Sequence, residues 1–125
     1  MLTEHQKQLG YDIASKLTDV WVLRFRNIPP AEDTLLGCGF VLAQMRLETE
    51  KTKQPFYTHA EVAELVGNAL AHPELKHLDR TRFSDDLLRL CVLFRLATVG
   101  YHGVIVEDEF FVRWLGLGAY NGKQL

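Results

Sequence analysis

Residues able to do chemistry are present in this chain, but their spacing assembles none of the usual reaction centres. Of the five histidines, His5, His59, His72, His77 and His102, none stands at zinc-ligand spacing from another or from a cysteine. His72, His77 and Asp79 are near enough in sequence for a loop to gather them around a metal, yet nothing requires it, and they read as surface side chains. Cys38 and Cys91 each sit inside an apolar run without a local histidine, which describes buried thiols behaving as small hydrophobes rather than activated nucleophiles. A disulfide between them is the alternative, but two cysteines do not make a secreted scaffold. Ser15 and Ser84 lie in no nucleophile-elbow pattern. Glu61 with Glu64 is the carboxylate pair that any polar helix face carries. The glycines of the tail, Gly116, Gly118 and Gly122, lack the strand, the helix and the lysine of a phosphate loop. No catalytic, cofactor-binding or metal-binding residue is assigned, and no cofactor is expected.

Two other groups of residues point to binding. Phe110, Phe111, Trp114 and Tyr120 crowd the C-terminal stretch. Consecutive phenylalanines on a short helix point in different directions, so one domain has difficulty covering both, and aromatic residues of this kind anchor protein interfaces. They either close the base of the core or form a contact surface that a homodimer would cover. The second group lies at 58–82. Val62-Ala63-Glu64-Leu65-Val66-Gly67 resembles the first helix and turn glycine of a helix-turn-helix unit, and Lys76, Arg80 and Arg82 would then supply contacts to nucleic acid. Against this, Asn68 to Ala71 carries no basic residue, Pro73 interrupts the place of the second helix, and Glu74, Asp79, Asp85 and Asp86 leave the region nearly neutral.

Bulk properties narrow the class further. A chain of 125 residues, 47% hydrophobic and 24% charged, has ordinary globular composition and suits one domain, 1–125, able to fold without staples. A formal charge of −2 gives no general attraction to nucleic acid or anionic lipid. Met1 to Gly10 is polar rather than signal-like. Arg46, Arg89 and Arg95 interrupt the runs that approach membrane-span length. A soluble protein of a reducing compartment, the cytoplasm, is expected.

The elements that must position these residues are read from periodicity and stop signals. A first helix is predicted from Thr3 to Arg26, with Thr3 as N-cap and burial increasing through the apolar stretch Val20 to Phe25. Pro29 and Pro30 break it, and Pro30 opens a second helix that turns polar and solvent-exposed from Arg46 and stops before Pro55. Within it, Gly37 and Gly39 imply a close approach by a neighbouring helix. Thr58-His59-Ala60-Glu61 is a capping box for a third helix, with Tyr57 and Val62 placed as its staple and His72-Pro73 as its end. A fourth helix is predicted from Ser84 to Val99, stopped by Gly100, with Asp85 and Arg89 as a surface pair. Gly103 to Val106 reads as a short strand or extended connector, and Asp108 opens a short C-terminal helix.

Leu35 to Leu47 and Leu87 to Val99 are apolar around most of their circumference, so both must be covered by neighbours or a partner. The expected fold is all-α: a compact bundle of four main helices, packed around the second and fourth, plus the short C-terminal one. The expected function is a small non-enzymatic protein–protein interaction module, a regulator, adaptor or inhibitor of the kind common among accessory proteins of bacteria and phages. Its partner is another protein or a second copy, with no membrane role, and DNA binding is the alternative.

Overall fold

The chain begins with two helices folded back on each other, and the reason lies in its glycines. A computed structural model describes residues 1–106. Helix α1 (Glu4–Phe25) is capped by Thr3, whose hydroxyl accepts from the Gln6 amide while the Gln6 side chain returns the bond. A short loop through Pro29 and Pro30 leads into α2 (Glu32–Thr52). At their crossing a Cβ on Gly39 would overlap the Gly10 carbonyl oxygen and stand 3.0 Å from the Ala14 amide, and one on Gly10 would overlap the Phe40 ring. Glycine is thus required for the two backbones to approach this closely. Gly37 faces the Phe83 ring, so the close approaches expected of Gly37 and Gly39 are both present, one to a backbone and one to a side chain.

Helix α2 is the centre of the domain. Leu35 and every residue from Gly37 to Arg46 are buried, and α2 touches α1, α3 and α4. Its polar residues are satisfied in place. Gln44 Nε2 donates to Leu65 O of the third helix at 3.0 Å, and its Oε1 accepts from Asn68 at 3.3 Å. Tyr57 Oη donates to Met45 O at 2.7 Å and accepts from the Thr49 hydroxyl at 2.7 Å. Burial pushes the Tyr57 phenol up to about 12. Arg46 and Thr49 are therefore interior, and the solvent-exposed stretch of α2 starts later than expected.

Strand β1 (Phe56–Thr58) runs directly into α3 (His59–Leu70), and the Thr58–Glu61 capping box is formed as read from the sequence. A single 3-10 turn, Pro73–Leu75, leads to α4 (Arg80–Leu93). The N-cap of α4 is Asp79, accepting from the Arg82 amide at 2.9 Å, not Ser84. The earlier start is held from outside, because the Arg80 guanidinium donates to Ala63 O of α3 at 2.7 Å. The helix also ends sooner than Gly100. Arg95 adopts φ 58, its amide bonds to Val92 O, and the Leu96 amide reaches Cys91 O at 2.8 Å. That is a Schellman stop built without glycine.

The residues freed by that stop supply one strand of a small sheet, so the fold is mostly helical, as expected, but not all-α. β2 (Ala97–Val99) and β3 (Gly103–Val106) make a hairpin, and β3 also pairs with β1, giving an antiparallel sheet of order β1-β3-β2. Thr98 and Val99 are β-branched, and the ladder outweighs the helical periodicity of Leu87 to Val99. The domain is mostly helical with this small sheet at one end. Two further expectations change. Burial in α1 peaks at Gly10, Ile13 and Leu17, whereas Leu23 is 79% exposed. Asp85 and Arg89 form no ion pair. The short C-terminal helix, with Phe110, Phe111, Trp114 and Tyr120, lies outside the described residues.

Cys38 and Cys91 are free and buried, and desolvation raises both thiols, Cys91 to about 12. Neither should react with a thiol reagent in the folded protein, and both should react on unfolding. Labelling kinetics followed by mass spectrometry check this; rapid stoichiometric labelling under native conditions would contradict the packing described.

Candidate functional site

The side of α4 that carries Arg82, Asp86, Arg89 and Leu93 does not close against α2, and the space between is a groove of roughly 740 Å³. Its apolar lining is Trp21, Pro30 and Ala31 from the end of α1 and the loop before α2, with Phe83, Leu90 and Leu93 from α4. Trp21 is fixed there by its neighbours. Its ring packs on Phe25 and Phe94 with centroids at 4.8 and 5.7 Å, and its indole N–H donates to Asn27 Oδ1 at 2.7 Å. Local helix geometry explains the opposite wall. Arg82, Asp86, Arg89 and Leu93 recur at three- and four-residue intervals and so share one side of α4.

The rest of the lining is polar. His77 Nε2 and Asp33 Oδ2 are 2.6 Å apart, joining the turn before α4 to the first turn of α2, with Asp79 beside them. The His77 hydrogen bond, aided by the Thr34 amide, holds the Asp33 carboxyl below the usual carboxylate range against a modest opposing effect of burial. A depressed folded value means that the pair stabilises the protein above the ordinary carboxylate range, and that this contribution is lost as pH falls through the Asp33 value. His77→Ala should raise the Asp33 value back toward an ordinary aspartate, read by NMR titration of its carboxyl carbon. An unchanged titration would show that the hydrogen bond is not formed in solution.

The lining combines charges of both signs, Arg82 and Arg89 with Asp33, Asp79 and Asp86, with apolar side chains, in a volume typical of binding clefts. Among the described residues the lining carries one hydroxyl, that of Thr34. The histidine–aspartate loop considered from sequence forms differently. His77 and Asp79 line the groove, but His72 turns away to stack on Phe40 at 5.0 Å. Among the described residues no group of three His, Cys, Asp or Glu side chains is arranged to hold a metal ion.

The basic residues of the nucleic-acid alternative are spread over the surface. Arg80 turns to α3 and packs over Gly67, Arg82 lines the groove on the opposite side of α4, and Lys76 is exposed after the 3-10 turn. Sequence reasoning missed Trp21, Asp33 and Leu93 as site residues. Asp33 and His77 stand far apart in sequence, in segments with no shared motif, and only the fold brings them together.

No protein-family model, curated protein or solved structure matches the chain. The groove's own geometry therefore carries the functional reading. No helix among the described residues is long and apolar enough to cross a membrane.

Proposed function

We propose that this chain is a small non-enzymatic protein–protein interaction domain, acting as a regulator, adaptor or inhibitor in the cytoplasm, and that the α2–α4 groove receives its partner. The observation that supports this reading is the join between the groove and exposed apolar surface. Leu93 lines the groove and stands 45% exposed, and Val92 beside it is 59% exposed. A partner fitting this site presents an apolar or aromatic side chain to the Trp21–Leu90–Leu93 end. Around that anchor it carries both charges, to meet Arg82 and Arg89 on one hand and Asp79 and Asp86 on the other. Interfaces of this construction bind through a desolvated anchor while the charged rim sets specificity.

The test is affinity capture from the native host's lysate, with and without nuclease, using wild type, an Arg82→Glu/Leu93→Glu variant and a Phe111→Glu/Trp114→Glu variant. The reading expects one stoichiometric protein that survives nuclease and is lost from the groove variant. Loss only from the second variant would move the interface to the C-terminal aromatics. Retention of nucleic acid, or of proteins lost on nuclease treatment, would instead support the DNA-binding alternative through Lys76, Arg80 and Arg82.

A further inference from the structure

The α4 wall of the groove carries a regular pattern. Arg82, Asp86, Arg89 and Leu93 follow one another at spacings of four, three and four residues, all within α4. That is the spacing of a seam along which one helix packs lengthwise on another. Arg82, Arg89 and Leu93 are exposed, and Asp86 is half-buried. Asp86 stands one turn from each arginine, yet among the described residues it pairs with neither. Plus, minus, plus and apolar are thus presented in order to whatever lies along this wall.

Backbone chemistry decides the form of the occupant. Facing α4 are Trp21, Pro30, Ala31, Asp33 and Thr34, from the end of α1, the loop and the first turn of α2. No strand borders the groove, so an extended segment would bury N–H and C=O groups with no ladder to receive them. A helix bonds those groups within itself and offers only side chains. The wall from Arg82 to Leu93 is about 16 Å long, roughly three helical turns. Direction follows from the neighbouring helix ends. Both α2 and α4 begin where Asp33 meets His77, and the amide ends of two helices favour the carbonyl end of a third.

We propose that the segment received by this groove is an α-helix of about three turns lying antiparallel to α4. It sets an apolar residue against Trp21 and Leu93, then, toward its C-terminus, an acid, a base and an acid opposite Arg89, Asp86 and Arg82. The inference rests on the groove being the partner site and specifies what enters it. One helix in one groove is a small interface, so the isolated segment binds weakly, with a dissociation constant of roughly tens to hundreds of micromolar.

Two designed helical peptides, titrated into the full chain, test the proposal. The first carries leucine, glutamate, lysine and glutamate, in that order, at the same four-, three- and four-residue spacings. The second exchanges the signs to leucine, lysine, glutamate and lysine. Binding is read from the Trp21 indole and the Arg82 and Leu93 amides in NMR spectra. The first peptide should bind roughly tenfold or more tightly than the second. A formal charge of −2 on the chain would favour the second, so this preference runs against the general attraction. An Arg82→Glu/Asp86→Arg/Arg89→Glu variant, checked for folding by circular dichroism, should invert the preference. Equal affinities, no binding of either peptide, or a preference that survives the triple exchange would each overturn the proposal. A captured partner lost from the Arg82→Glu/Leu93→Glu variant but displaced by neither peptide would overturn the helical occupant and leave the groove as the partner site. A partner retained by that variant would remove the groove reading itself, and this inference with it.

Discussion

Gly39→Ala loses a large fraction of the domain's stability, about 3 kcal/mol or more, the upper range for forcing extra volume into a packed interior. The reason is that the neighbouring atoms belong to backbone. The new methyl would overlap the Gly10 carbonyl oxygen and crowd the Ala14 amide, and neither can rotate away as a side chain could. Relief requires α1 to move off α2, which also uncovers Ile13 and Leu17, both essentially fully buried. Alanine is the better helix former by about 1 kcal/mol, so the sign of the result separates the two effects. Destabilisation in thermal or denaturant unfolding supports the close crossing. A stability equal to wild type or higher would show that the helices are farther apart.

Phe94→Ala should cost about 3–5 kcal/mol, the usual range for deleting a fully buried aromatic ring. Phe94 is 1% exposed and sits where α4 stops, with the Phe25 ring 5.5 Å away and Trp21 at 5.7 Å. Its ring joins the end of α1 to the end of α4, and Trp21 in turn lines the groove. The substitution should therefore loosen the site as well as the fold, shifting the Trp21 indole signal in the NMR spectrum even at temperatures where the protein remains folded. Val92→Ala, close by on the exposed face of the same helix, should stay within about 0.5 kcal/mol of wild type. Equal effects from the two would mean that the assignment of buried and outer faces of α4 is wrong.

What was legible in the sequence was what is encoded locally. Thr58 and Glu61 specify a helix start through bonds within one turn, and that start is present. The run Leu35 to Leu47 has no polar side to turn to water before Gln44, so a central position for α2 follows from composition alone. Gly37 and Gly39 announced close contacts, though not which neighbours would make them. Of the sheet only Gly103 to Val106 was legible, as a short strand or connector; the others are three residues long, β2 continues the apolar periodicity of α4, and β1 finds its partner only through the fold, with Phe56 opposite Ile105. Both ends of α4 escaped for related reasons. Asp79 and Ser84 are each competent caps, and a tertiary bond from Arg80 to Ala63 O favours the earlier one. The stop at Arg95 uses a left-handed conformation that sequence rules reserve for glycine or asparagine. The apolar end of α1 looked like core, but the structure covers it on one side only, leaving Val22 and Leu23 exposed. The groove is the extreme case: Trp21, Asp33, His77 and Leu93 belong to different elements and share no motif.

A protein partner seated between α2 and α4, as proposed, would be seen in an amide- and indole-resolved NMR spectrum of the full chain, recorded while the partner retained in capture is titrated in. The largest changes should fall on the Trp21 indole and on the amides of Thr34, His77, Arg82 and Leu93, with His59 to Glu64 on α3 little affected. Changes concentrated on α3 or the β2–β3 hairpin, with the Trp21 signal unmoved, would contradict it.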